Sequence, residues 1–185
     1  MPECFDTPLA IHLFGPFEAL LHGTPLPRLR SRKGQCLLAL LALRPGREVE
    51  RSWLAGVLWS ESSEAEALHG LRNSLSDLRQ ALGPEAGRLQ SRTTRLLAFD
   101  LAGAAVDVVA FDAMIARGDA ASLEAAAALY RGPLLEGWTD EWAYQERQFR
   151  EEAHLRALEA LADHALAAAD GGPGRSAWRH CSCRR

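Results

Sequence analysis

The chain has 185 residues, enough for one large domain or two small ones. Its 48% hydrophobic and 24% charged content is that of an ordinary folded protein, not a disordered or fibrous one. The net charge of −3 is unevenly spread: residues 1–100 carry twelve Lys and Arg against eleven Asp and Glu, residues 101–170 five against thirteen, and residues 171–185 four Arg and no acid.

In chain order, Leu9–Phe14 has the pattern of a strand, Gly15-Pro16 that of a turn, Phe17–Leu21 that of a second strand, and His22–Pro25 that of another turn. A small antiparallel sheet is therefore expected before any helix. Ser31 can cap a first helix running to about Leu43, with Leu37, Leu38 and Leu41 on one face and Pro45-Gly46 as its stop. A shorter helix over about 51–59 follows, with Trp53, Leu54, Val57 and Leu58 as its apolar side.

The third helix carries the strongest signal. Ser63 and Glu66 have capping-box spacing, and Leu68, Leu71, Leu75, Leu78 and Leu82 recur at steps of three and four. The predicted helix spans 64–82, and Gly83-Pro84 ends it. Its opposite face shows His69, Arg72, Asn73, Ser76, Asp77, Arg79 and Gln80. Next, 88–91 and 96–99 read as two strands around Arg92-Thr93-Thr94-Arg95, a hairpin tipped with arginine. From about 107 the chain turns to alanine-rich helix, with candidates at 108–117, 120–130 and 140–169. Residues 171–185 show no periodicity and read as a disordered tail.

Sheet, two helices, a capped amphipathic helix and a basic hairpin form the order of a winged helix–turn–helix. A helix of 19 residues is roughly 28 Å long and fits a major groove about 12 Å wide. Arg pairs with guanine O6 and N7, Asn with adenine N6 and N7, and cations meet phosphates. The candidate DNA contacts are His69, Arg72, Asn73, Ser76 and Arg79 on the third helix and Arg92 and Arg95 on the hairpin. Arg32 and Lys33, at the start of the first helix, join them. These last two belong to a stretch, 28–47, with six basic residues and no acid. Asp77 argues against phosphate contact at its own position. A solvated helix face is the bland alternative for the whole set.

Other chemistries find little footing. The longest apolar run, Cys36–Leu43, is far short of the ~20 residues a membrane span needs. No charged start followed by an apolar core marks a signal peptide. Of Cys4, Cys36, Cys181 and Cys183, Cys36 sits among leucines as a small hydrophobe, and no disulfide framework follows, so a reducing cytoplasm is the default. His180-Cys181-Ser182-Cys183 offers too few ligands for a closed metal site. Phosphate loops and nucleophile elbows are absent, so no catalytic residue and no cofactor is expected.

Leu-Phe-Gly-Pro-Phe-Glu (13–18), the run 32–43, Pro-Gly-Arg (45–47), Leu-Trp (58–59) and the run 71–83 resemble the OmpR-type winged helix of the Streptomyces antibiotic regulatory protein family. Residues 106–111, 129–135 and 146–162 resemble the start of that family's bacterial transcriptional activation domain. The resemblance covers about 1–170. It implies an α+β winged helix–turn–helix over 1–102, then over 106–170 part of an all-α stack of helical hairpins like tetratricopeptide repeats. It also implies a transcription regulator without catalytic activity, whose third helix enters the major groove and whose wing, 88–99, touches the flanking one. Duplex DNA is then the partner, with RNA polymerase and a second copy of the chain as further candidates. Asp77 departs from the family, which usually has a basic residue there. The helical stack is about half the family's length, and from Gly171 the chain no longer resembles it, as a truncated or frame-shifted gene would look. Residues 108–169 are therefore expected to be less stable than the winged helix or to dimerise. The rival reading is an interaction module, a helical-repeat remnant that no longer reads DNA.

Overall fold

The computed structural model describes residues 8–26, 29 and 31–170. Cys4, Arg28, Arg30 and the whole tail 171–185, including the predicted disorder and the His-Cys-Ser-Cys motif, lie outside the described residues.

Strand β1 (Leu9–His12) pairs antiparallel with β2 (Glu18–Leu21), which pairs with β3 (Thr24–Pro25). Leu9 and Ile11 point into the core while Ala10 and His12 are half-buried, as strand alternation requires. The first strand is shorter than its apolar run. The amides of Leu13 and Phe14 leave the ladder and donate to the carboxylate of Asp107, at 2.9–3.0 Å. Residues 24–25, expected in a turn, form a strand.

Helix α1 (Arg32–Ala42) starts on the Ser31 side chain, which accepts from the Gly34 amide at 3.1 Å. Cys36 to Ala42 are all buried, so α1 is the axis of the molecule rather than an amphipathic surface helix. Strand β4 (Val49–Glu50) leads directly into α2 (Arg51–Leu58). Helix α3 (Glu64–Leu82) has the full capping box: the Ser63 amide donates to Glu66 Oε2, and Ser63 Oγ accepts from the Glu66 amide. The Ser63 hydroxyl also donates to Glu66 Oε2 at 2.7 Å, and this bond, with that from the Ser63 amide, holds the Glu66 carboxyl below its usual range. Four of the five predicted leucines are buried, and Leu68 is half-buried at the edge.

Strands β5 (Leu89–Gln90) and β6 (Leu96–Phe99) form the hairpin, and β6 also pairs with β4. This is the three-stranded sheet β4-β6-β5, the wing. Strand β7 (Ala105–Val106) crosses back to lie parallel to β1, completing the order β3-β2-β1-β7. Helices α4 (Asp107–Arg117), α5 (Ala120–Leu129) and α6 (Glu141–Asp170) follow.

The winged-helix sheet and the helical region share one continuous core. Phe14 bridges to Leu134, Leu135 N–H donates to Leu13 O at 2.7 Å, and Gly15 N–H to Pro133 O at 3.0 Å. Phe14 packs edge-on against Phe111, with centroids 5.0 Å apart. Arg147 holds the 134–138 loop by donating to the carbonyls of Leu134, Leu135 and Trp138. The architecture is a mixed α+β winged helix followed by helical hairpins, and no helix among the described residues is long and apolar enough to cross a membrane.

Candidate nucleic-acid interface

Helix α3 buries Leu71, Leu75, Leu78 and Leu82 against α1 and α2, so the opposite side must face solvent. His69, Arg72, Asn73, Ser76, Asp77, Arg79 and Gln80 are all exposed. At 100° per residue, His69, Asn73, Ser76 and Gln80 form the centre of this face, with Arg72 and Arg79 along one edge. Asn73 Nδ2 lies 3.2 Å from His69 Nε2, one turn earlier, which steadies both at the surface.

The arginine edge faces α2 and the wing. Arg79 Nη2 donates to Ser91 Oγ at 3.4 Å, and Arg51 Nη2 donates to the same oxygen at 2.8 Å. Arg51 opens α2, and its amide donates to Arg95 O of the wing at 2.9 Å. Burial, and then the nearby charges of Arg79 and Arg72, lower the pKa of the Arg51 guanidinium. Its Nε is buried without a hydrogen-bond partner. Among the described residues no carboxylate lies within 4 Å of Arg51, Arg72, Arg79 or Arg95. The helices and wing thus bring together cations of like sign without neutralising them. An open cleft of about 800 Å³ lies between them, with Arg51, Arg72 and Arg95 in its walls and Glu50 and Glu64 also present. Helix α2 begins at this cleft without a side-chain cap, which puts the positive end of its dipole beside the arginines.

The wing tip spans residues 91–95. Thr93 Oγ1 accepts from the amides of Arg95 and Leu96, which fixes the turn. Arg95 has no ion-pair partner among the described residues, whereas Arg92 lies 3.8 Å from Glu48 in an exposed pair that screening makes weak. Among the described residues Asp77 has no ion-pair partner within 4 Å. It lies about 140° around the helix axis from Arg72 and about 160° from Arg79. The carboxylate that seemed to oppose phosphate contact is therefore on the far edge from the cations.

The structure does not bring Arg32 and Lys33 to this face. Arg32 stacks on Trp138, 3.7 Å from the ring centre, and pairs with Asp140 at 2.9 Å, joining α1 to the helical region. Lys33 donates to Leu58 O at the end of α2 and lies 5.9 Å from the Trp59 ring. Both basic residues are engaged within the chain, which a run of positive charge in the sequence cannot reveal. Arg51 is the opposite case. In the sequence Arg51 is only the first residue of a short helix, and its one signal is that this helix start has a poor cap, Glu50.

Cys36 is fully buried, and burial pushes its thiol up to about 11, so it is inert packing. Among the described residues no cluster of His, Cys, Asp and Glu has metal-site geometry.

Comparison with known proteins places this geometry. No curated protein matches the sequence. The model of the bacterial transcriptional activator domain matches residues 106–172. The fold is similar to that of EmbR from Mycobacterium tuberculosis, solved in complex with a low-affinity phosphopeptide, with a TM-score of 0.70 and 24% identity over 88% of this chain. The match takes in 46% of the EmbR chain, so the present chain spans less than half of that protein's length. A winged-helix fold thus precedes a segment that is similar to the bacterial transcriptional activator domain.

Proposed function

We propose that residues 1–102 bind duplex DNA in a sequence-specific manner and that residues 106–170 form part of the activation domain acting with them. The observation that carries this reading is the convergence of Arg51 and Arg79 on Ser91, with the charge of Arg72 nearby and no carboxylate of the described residues within 4 Å of the three, beside the open polar face of α3. Helix α3 would lie in the major groove, with Asn73 and Arg72 on base edges and His69 and Ser76 alongside. Arg51, Arg79 and Arg95 would meet phosphates, and Arg92 would reach the flanking groove once released from Glu48. The protein would work in the cytoplasm, with RNA polymerase or a second copy of the chain as further partner.

The test is a gel shift on operator DNA selected from a random pool. Replacing Arg72 and Asn73 with Ala should abolish preference for the selected sequence while non-specific binding falls less. Neutralising about four phosphates predicts a slope of about −3 to −4 in log K against log salt concentration. Survival of the sequence preference in the double variant would remove α3 from the reading role.

A second reading, a module for binding proteins, is favoured by α6. Tyr144, Leu155, Leu158 and Leu166 are 43–65% exposed on that helix and fall along one side of it at helical spacing. A binding curve independent of salt and of DNA would select it.

A further inference from the structure

We propose that the groove between β7, α4 and α5 is a binding site for a small organic acid with an apolar body. The groove has a volume of about 570 Å³, within the range of small-molecule sites. It is open to solvent, and its shape has a cause in the sequence. Helices α4 and α5 present Ala110, Ala113 and Ala128 toward the β7 edge, and these side chains are too short to fill the space between the layers. Val109 and Leu129 make the remaining helical wall apolar.

Polar groups gather at one end only. Asp107 is there, but its two oxygens already accept from the amides of Leu13, Phe14 and Val108 at 2.7–3.0 Å. Its charge is held by those amides and by the start of α4. Arg131 pairs with it by charge alone, and neither Arg131 nor His12 donates a hydrogen bond to it. Arg131 Nη2 stands 3.7 Å from Asp107 Oδ2, and His12 Nδ1 stands 3.9 Å from the same oxygen, both beyond hydrogen-bond length. His12 Nδ1 is buried with no partner. Arg131 is half-exposed and lines the groove, and none of its guanidinium N–H groups has a hydrogen-bond partner among the described residues. A planar carboxylate fits a guanidinium with two parallel hydrogen bonds. Charge complementarity thus selects an acid, and the alanine-lined wall selects an aliphatic or similarly apolar remainder.

The probes are octanoate and octan-1-ol, which share a chain and differ in the head group. Proton–nitrogen correlation spectra of the full chain should show octanoate shifting amides of residues 104–113 and 128–131. Octanoate should bind at least tenfold more tightly than octan-1-ol. Arg131→Gln, at a half-exposed position, should remove that difference by weakening octanoate about tenfold while leaving octan-1-ol unchanged. Ala110→Leu, which fills the groove, should weaken both. Bound octanoate should also raise Tm. Equal affinity for the two probes would overturn the assignment, as would shifts mapping to the exposed α6 leucines, no shifts at millimolar octanoate, or an Arg131→Gln protein that binds octanoate normally. DNA binding is not read in this experiment, so its outcome is independent of the wing and α3.

Discussion

Among the described residues Arg51 combines a buried, unpartnered Nε with two like-charged neighbours and no carboxylate within 4 Å. Folding gains little from such an arrangement, because a desolvated cation beside two others is repelled by them and only one hydrogen bond, to Ser91, answers. A bound phosphate would reverse the balance. Arg51→Gln separates the two roles. It keeps a polar group near Ser91 and removes one charge from the cluster. Thermal stability should be unchanged or slightly raised, while affinity for DNA falls about tenfold and the salt slope shrinks by about one unit. A drop in Tm, or weaker binding with an unchanged slope, would make Arg51 a structural residue of the wing. Arg32→Ala is the useful contrast. Its guanidinium is engaged with Trp138 and Asp140, so its loss should cost stability and leave the salt slope alone.

At the scale of elements, α3 and the wing were legible before any coordinates because their signals are local. A capping box needs four residues and the leucine stripe fifteen, and a hairpin is marked by its own turn. The two-residue strands β3, β4 and β7 were not legible, since a pair of residues has no period and is recruited by its neighbours. Nor was the use of Arg32 and Arg51, because their partners lie 108 and 40 residues away along the chain. Gly70 shows the same limit within α3 itself. In the interior of a helix, Gly→Ala normally stabilises by about 1 kcal/mol. Here a Cβ would stand 2.7 Å from Trp59 Cε2 and 2.9 Å from Nε1. The indole closes the corner between α2 and α3 beneath Lys33, so it is not a free end that can swing away. Overpacking of this kind costs about 1–3 kcal/mol, and the clash outweighs the propensity gain. Gly70→Ala should therefore lower stability by about 1 kcal/mol in chemical denaturation. A stabilised variant would show that Trp59 relaxes at no cost.

For the whole molecule, the question is whether the winged helix and the helical region are separable. Sequence alone suggested a stable first half and a weaker, incomplete second half, because repeat helices bury their faces against neighbours. The seam points elsewhere for α4 and α5. Strand β7 belongs by pairing to the first sheet and by chain to α4. Asp107, at the joint, is buried and takes the amides that β1 releases as it ends. The core runs across the joint without a break, through Phe14, Phe111, Leu134 and Leu135. Calorimetry of the intact chain should therefore give one main transition that includes α4 and α5. The exposed distal turns of α6, beyond about Ala157, should exchange their amide hydrogens at low protection. Asp107→Ala tests the joint itself. It leaves the buried amides of Leu13 and Phe14 without acceptors, at about 1–3 kcal/mol each, and it also removes the bond to Val108 N. The loss should be at least about 3 kcal/mol, and exchange at Leu13 and Phe14 should become faster than in α1, where wild type protects both to a similar degree. If the transition then splits, the carboxylate is what couples the halves. Two transitions in the wild-type protein would instead mean that the shared core does not hold them together, and the helical region would melt as the weaker unit.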